Sequence, residues 1–186
     1  MLFRSPVAVK ACSAEIPHKS EHGLVHLNCR TAAETIAAFE DIRRKLAAMK
    51  TADAAVIVAA MRPAQHEFVV GARLDPRFGT LVMLGDGGKY VEALPDIALL
   101  RYPFSEDDVL ERLHTLRIAP LFAGVRGEPP IALGALANLA VRLGGTLEAA
   151  GGAIASIDLN PVMAGASDGD TVIVDALIEK SAQGAA

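Results

Sequence analysis

The sequence has no tryptophan, and aromatic residues make up only 4% of its 186 positions. The formal net charge is −4, and no basic run occurs. Nucleic acid is therefore not an expected partner, because proteins bind it through clustered cations and stacked aromatic rings. The two cysteines, Cys12 and Cys29, have neither metal-binding nor redox spacing, which favours a reduced pair in the cytoplasm.

Long hydrophobic runs are also missing. No apolar run reaches the length of a membrane span, and the start of the chain lacks the apolar core of a secretory signal. We therefore expect no membrane segment and a cytoplasmic protein. Apolar content is nevertheless high, since hydrophobic residues make up 52% of the chain and the mean hydropathy is +0.33. These values are typical of a globular protein with a well-filled core.

The order of the apolar patterns indicates the fold class. Strand and helix patterns mix without strict βαβ alternation, which predicts an α+β (α/β) fold with mixed or antiparallel sheets. A boundary between two lobes is expected near residues 59–65. Strands are predicted at residues 5–12, 23–28, 54–61, 66–74, 79–88, 153–162 and 171–180. The last two strands are predicted to form a hairpin.

Three helices are predicted, at residues 31–49, 105–116 and 131–152. Thr31 and Glu34 have the spacing of a capping box at the start of the first helix, and Ser105 is a suitable cap for the second. The apolar face of the first helix is expected to contain Ile36, Phe39, Ile42 and Leu46. The third helix is either continuous or broken at Gly144–Gly145.

Three histidines, His18, His22 and His26, are spaced four residues apart. On a helix they would share one face, as a metal site requires. Gly23 lies within this segment and Val25 favours a strand, so a loop followed by an extended segment is the preferred interpretation. If residues 22–28 are extended, His22 and His26 share one face and His18 lies in the loop. A metal site stays a minor alternative.

The loop itself combines Lys19, a point charge, with the Ser20 hydroxyl and with Gly23, which permits a close backbone approach. Lys10, on the preceding predicted strand, adds a second cation. This combination suits a polyphosphate ligand. From these residues alone, a solvated hairpin loop with an exposed lysine is an equally good interpretation.

A second glycine-rich segment follows a predicted strand and contains Gly85, Gly87 and Gly88. It has neither dinucleotide-binding nor P-loop spacing, and taken alone it favours a hairpin turn. Glu67 lies in a predicted strand, where it could contact a ribose or a metal or be a surface charge. Met61 could face an adenine ring or belong to the core.

The predicted C-terminal hairpin carries three oxygen-bearing side chains. Asp158 and Asn160 are two residues apart on one strand, so both leave the same face, and Asp175 lies on the partner strand. Two carboxylates and an amide oxygen form a donor set suited to Mg²⁺, which also takes substrate phosphates as ligands. The alternative is that this face of the hairpin meets solvent.

Four segments together resemble one known family. They are PVAVKACSAEIPHKSEHGLVHLN, EFVVGARLDPRFGTLVMLGDGGKYVEALPD, LRIAPLFAGVRGEPP, and SIDLNPV with VIVDALIE. They are similar to the ATP-grasp portion of the NDP-forming acyl-CoA synthetases, which include the ADP-forming acetate–CoA ligases and relatives of succinyl-CoA synthetase. The resemblance runs from about Pro6 to Glu179. It implies an ATP-grasp fold with a partial first lobe at 1–60, a second lobe at 61–180 and a flexible tail at 181–186.

The resemblance also implies an activity and a set of site residues. The family interconverts acyl-CoA, ADP and phosphate with carboxylic acid, CoA and ATP. Lys10 matches the lysine that contacts nucleotide phosphates, and His18 matches a histidine taken to accept and relay phosphate. Asn160 and Asp175 match Mg²⁺ ligands, with Asp158 beside them. The glycines from Gly85 to Gly88 match a loop near the phosphates, so Mg²⁺ and ATP or ADP are the implied cofactor and nucleotide.

The chain departs from the family pattern at several positions. The family often has two glycines where this chain has Gly23–Leu24, and often glutamate where it has Ser156. Family modules begin several dozen residues before the equivalent of Lys10, and the CoA-binding and ligase domains are not in this sequence. We therefore expect an enzyme part that needs those domains or a subunit carrying them. The alternative is a non-catalytic module that pairs with a CoA-binding subunit, and an exposed sheet edge would favour homo-oligomers.

Overall fold

A computed structural model describes residues 6–13, 15–16, 19–51, 54–62, 64–87 and 96–181. The chain divides into two compact units, residues 1–62 and residues 63–186. Each unit has its own buried apolar cluster. That these units correspond to the lobes at 1–60 and 61–180 stays a prediction.

The first unit contains a three-stranded antiparallel sheet and one helix. The strands are β1 (Val7–Cys12), β2 (Val25–Cys29) and β3 (Ala55–Ala60), in the spatial order β2-β1-β3, and the helix is α1 (Ala32–Met49). Val9 and Ala11 of β1 are fully buried together with Ile42 of α1. Because side chains alternate along a strand, Lys10 leaves the face of the sheet opposite the helix.

The start of α1 follows the predicted cap, but its apolar face is rotated. The Thr31 hydroxyl accepts a hydrogen bond from the Glu34 backbone N–H (3.2 Å), and the Glu34 carboxylate accepts one from the Arg30 N–H (2.7 Å). The prediction that Ile36 is a core residue is wrong, since it is 57% exposed. It lies six residues before Ile42, which on a helix is about 120° away, so Ala38 takes the core position.

The second unit is built on a larger sheet in which all the pairings described are antiparallel. Its strands are β4 (His66–Asp75), β5 (Gly79–Asp86), β6 (Ile97–Arg101), β7 (Ile154–Ala164), β8 (Val172–Ile173) and β9 (Ala176–Lys180). They run in the spatial order β6-β5-β4-β7-β8, with β9 also paired to β7. The helices are α2 (Glu106–Leu113), α3 (Ala119–Phe122) and α4 (Gly134–Ala149).

Helices α2 and α4 cover one face of this sheet. Buried residues of that face, such as Val70 and Val82, pack in one cluster with Leu113 of α2 and Leu136 of α4. Alternation then directs the intervening residues to the opposite face. Strand β6 and helix α3 were not indicated by the sequence patterns.

Helix α4 is continuous through Gly144 and Gly145, so the alternative of a break there is wrong. The glycines are explained by the Tyr102 ring, which lies against the helix. A Cβ at Gly144 would be 2.6 Å from Tyr102 Cδ2, and one at Gly145 would be 3.3 Å from the Tyr102 hydroxyl. Gly144 is therefore required because the Tyr102 ring packs closely on the helix, and it does not mark the end of the helix.

Candidate functional site

Lys10 lies in the central strand of the first unit. It is opposite Val25 of β2 and Ile57 of β3, so these three residues share the sheet face that α1 does not cover. Ile57 is half-exposed at 40%. The cation therefore projects from a sheet face with apolar neighbours, which is an arrangement that can hold both the charged and the apolar parts of a ligand.

The predicted loop after β1 is a tight turn in the residues that the structure describes. The Gly23 N–H donates to the Ser20 carbonyl (3.1 Å), and the Leu24 N–H donates to the Lys19 carbonyl (3.0 Å). Gly23 has a φ of +62°, a conformation that favours glycine. Residues 21–23 belong to the turn and strand β2 starts only at Val25, so the condition under which His22 and His26 would share a strand face is not met. The catalytic candidate His18 lies outside the described residues.

His26 is directed toward α1, because it is opposite the buried Val9. Its Nε2 is 3.0 Å from Oδ2 of Asp41, and the same carboxylate contacts Arg44 and Lys45. The Lys45 hydrogen bond, with those from His26 and Arg44, holds the pKa of Asp41 far below its usual range. Among the described residues, no group of three or more His, Cys, Asp or Glu side chains could hold a metal ion.

Met61 and Glu67 lie at the end of β3 and near the start of β4, and each makes backbone hydrogen bonds. Met61 follows β3, where its N–H donates to the Pro6 carbonyl (3.0 Å) and its sulfur accepts a bond from the Asn28 N–H (3.1 Å). Glu67 is an exposed residue of β4, and its carbonyl accepts a bond from the Gly87 N–H (2.9 Å). Met61 is thus held by backbone groups at the ends of neighbouring strands.

The glycine-rich segment is packed against neighbouring backbone where it is described. A Cβ at Gly85 would collide with the Asp96 carbonyl, and one at Gly87 would be 2.7 Å from the Glu67 carbonyl. His66 Nε2 lies 2.9 Å from the Asp86 carboxylate between them. These two glycines therefore have a packing reason within the second unit, and Gly88 lies outside the described residues.

Asp158, Asn160 and Asp175 are backbone neighbours in the C-terminal ribbon, by which we mean β7 with its partners β8 and β9. The Asn160 N–H donates to the Asp175 carbonyl (3.2 Å), which places these two residues opposite each other. Asp158 is opposite Gly71 of β4, and a Cβ at Gly71 would lie 3.7 Å from the Asp158 carboxylate. Asp175 lies in the short break between β8 and β9 and not within a strand as predicted.

This donor set fits Mg²⁺ by its chemistry, since it offers two carboxylates and an amide oxygen. Asp158 and Asn160 are two residues apart on β7, on the face that α2 and α4 leave open. Ser156, at the position where the family often has glutamate, is hydrogen-bonded to the Glu179 carboxylate of β9 (2.5 Å). A carboxylate from the adjacent strand therefore lies next to that serine.

A comparison with known families decides the relationship, because the pattern that defines the ATP-grasp domain matches residues 2–179. The chain belongs to the ATP-grasp family. The resemblance noted in the sequence and the α+β fold class are thereby confirmed. One relative that this chain resembles is the beta subunit of an ADP-forming acetate–CoA ligase I of Pyrococcus furiosus. It is 38% identical over 161 residues, which are 86% of this chain and 69% of that subunit.

Solved structures are also similar to this chain. A dinucleotide-forming acetyl-coenzyme A synthetase 1 of Ca. Korarchaeum cryptofilum, in complex with coenzyme A and Ca-AMPCP, is 30% identical with a TM-score of 0.85. The match covers 96% of this chain and 77% of that chain. The same enzyme with coenzyme A and Mg-AMPPCP is 31% identical with a TM-score of 0.76, over 94% and 76% of the two chains. Its phosphohistidine segment points towards the nucleotide binding site.

Two features escaped the sequence analysis. Lys45 donates a hydrogen bond to the Gly23 carbonyl (2.8 Å), although 22 residues separate them. The apolar residues that share the face of Lys10 were also not singled out.

None of the helices in the described part of the chain combines the length and apolar character needed to cross a membrane.

Proposed function

We propose that the chain is the Mg²⁺–nucleotide-binding part of an NDP-forming acid–CoA ligase. The observation that carries the proposal is the pairing of Asn160 with Asp175 across the ribbon, with Asp158 on the same sheet, in a chain of the ATP-grasp family. The relatives named above support it, since they include a beta subunit of an acetate–CoA ligase and an enzyme structure with bound Mg-AMPPCP.

In this proposal the first unit supplies the contacts to phosphate. Lys10 offers its ammonium from β1, the turn offers the Lys19 ammonium and the Ser20 hydroxyl, and Gly23 permits a close approach of the backbone. Cations and hydroxyl donors neutralise and orient phosphate oxygens, which is the main contribution of a protein to phosphoryl transfer. The further nucleotide-binding candidates are Met61, Glu67, Gly85, Gly87 and Gly88.

Asn160 and Asp175, with Asp158 beside them, would hold Mg²⁺. When bound, the ion neutralises charge on the phosphate oxygens. The backbone bond between Asn160 and Asp175 fixes the distance between the backbones of the two residues. Asp158 is held in register by two neighbouring strands, β4 and β9.

The proposed reaction converts acyl-CoA, ADP and phosphate into carboxylic acid, CoA and ATP. The acyl phosphate would first transfer its phosphoryl group to a histidine of the ligase domain as the carboxylate leaves. An imidazole nitrogen of His18 would then bond to phosphorus as that first imidazole leaves. A terminal oxygen of ADP would bond to phosphorus as the His18 imidazole leaves, which forms ATP. CoA-binding and ligase domains, in a partner subunit or elsewhere in the enzyme, would form the acyl phosphate. We therefore expect no turnover by this chain alone.

Calorimetric titration with Mg-ADP and Mg-ATP tests the proposal. We expect Asp175→Asn and Lys10→Met each to weaken nucleotide affinity by about tenfold or more, because each removes a charged contact. The matched controls are Asp107→Asn at the exposed start of α2 and Lys180→Met at the exposed end of β9, which should bind as the unaltered protein does. No binding at millimolar nucleotide with Mg²⁺, or equal losses in variants and controls, would refute the proposal and favour the assembly module.

A further inference from the structure

The Gly23 carbonyl, in the turn at residues 19–24, accepts a hydrogen bond from a side chain of α1. Lys45 Nζ donates to this oxygen at 2.8 Å and lies 2.6 Å from Oδ2 of Asp41. A Cβ at Gly23 would come 3.1 Å from the same Nζ, so glycine lets the ammonium approach the backbone closely. One lysine thus connects the turn to a carboxylate on the helix.

Helix α1 is a firm support for this contact. Ile42 and Leu46, on either side of Lys45 in the sequence, are buried in the core of the first unit. Asp41 precedes Lys45 by one helical turn, a spacing at which acid and base side chains meet. The Asp41 carboxylate also contacts His26 of β2 and Arg44 of α1, so the group that holds the Lys45 ammonium is itself held from two elements.

The next residue anchors the turn from its other side. Leu24 is fully buried in the core of the first unit, and its carbonyl accepts a bond from the Ala11 N–H of β1 (2.9 Å). Where the family often has a second glycine, this chain therefore has a buried anchor. Leu24 fixes the turn to the sheet, and Lys45 fixes it to the helix.

We infer that Lys45 is a positioning residue that sets the conformation of the turn at residues 19–24 for phosphate binding. This inference rests on the proposed function for the role of Lys19 and Ser20, whereas the contact itself is independent of it. By holding the Gly23 carbonyl, Lys45 keeps the left-handed backbone at Gly23 and the two backbone bonds that close the turn. Lys45 acts through the turn and has no proposed contact with the nucleotide.

The variant Lys45→Met keeps the length and apolar stem of the side chain and removes its charge. Arg44→Met is the matched control, because Arg44 contacts Asp41 from the same helix and is 76% exposed. Lys45→Arg is the conservative variant, which can still donate to the Gly23 carbonyl. The probes are Mg-ATP and adenosine, which differ in whether they carry phosphate.

We expect Lys45→Met to weaken Mg-ATP binding about three- to tenfold, because one charge-assisted hydrogen bond at a partly exposed site is lost. Adenosine binding should not change, whereas a general loss of structure would weaken both. Arg44→Met should bind as the unaltered protein, and Lys45→Arg should recover most of the affinity. Hydrogen exchange at the Gly23 and Leu24 amides should accelerate in Lys45→Met alone.

Equal effects of Lys45→Met and Arg44→Met would overturn the inference, since the Asp41 ion pairs would then be responsible. Unchanged Mg-ATP affinity in Lys45→Met, or equal loss of Mg-ATP and adenosine, would do the same. If the unaltered protein binds no Mg-ATP, the proposed function fails, and amide exchange alone then decides whether Lys45 holds the turn.

Discussion

The packing of Tyr102 on α4 allows a prediction with a built-in control. Alanine in place of glycine in a helix interior normally stabilises by about 1 kcal/mol, so Gly144→Ala and Gly145→Ala have the same intrinsic gain. Their surroundings differ. The new Cβ at 144 would lie 2.6 Å from Tyr102 Cδ2 and 3.2 Å from Val82 Cγ2, whereas at 145 its nearest neighbour is the Tyr102 hydroxyl at 3.3 Å.

Forcing a methyl group into a packed site costs about 1–3 kcal/mol, because ring and helix must separate. The free energy of unfolding of Gly144→Ala should therefore fall below that of Gly145→Ala by about 1–3 kcal/mol. In urea unfolding followed by circular dichroism, this is a difference in midpoint of about 0.5–1.5 M. Equal midpoints, or a Gly144→Ala protein more stable than the unaltered one, would refute the packing explanation.

Three further predictions concern the core, a helix cap and the metal. Leu24→Ala should lower the free energy of unfolding of the first unit by about 2–5 kcal/mol, because the Leu24 side chain is fully buried. Leu27→Ala is the control, since that side chain is 59% exposed, and it should change the free energy of unfolding by less than about 0.5 kcal/mol. Thermal melts of both variants measure the difference. Hydrogen bonds from the Ser105 N–H and hydroxyl lower the pKa of the Asp108 carboxyl in the folded protein. The stability that Asp108 contributes is therefore fully present above the pKa of this carboxyl in the unfolded chain, and it is lost as pH falls through the pKa in the folded protein. Asp108→Asn should flatten that acid limb of a stability–pH curve, and an unchanged limb would argue against the cap. Chelation of Mg²⁺ should abolish the rise in melting temperature that ATP produces, and an undiminished rise would exclude a metal-dependent site.

Local patterns predicted much of the fold because they report on local forces. The Thr31 and Ser105 caps and the C-terminal ribbon follow from short-range hydrogen bonding and alternation. Ile36 was assigned to the core although its helical position points elsewhere, since apolar character does not specify direction. The continuity of α4 depends on Tyr102, which is distant in sequence, and could not be derived from the glycines alone.

The candidate site was predicted unevenly for the same reason. Asp158, Asn160 and Asp175 could be grouped because a hairpin places its two strands side by side. From their residue types alone, Lys19 and Ser20 left a solvated loop as an equal alternative, and only the ordered set of family motifs favoured a phosphate ligand. Lys45 gave no such signal, since it is one of several charges on α1 and its contact with Gly23 forms only after folding.

Helix α1 both fills the core of the first unit and holds the turn through Lys45. If the turn binds phosphate as proposed, substitutions that adapt this helix to heat or cold would change ligand affinity as well, even where they touch no ligand. Homologues from hot and temperate habitats should accordingly show correlated substitutions between the buried side of α1 and the residues that follow the first strand.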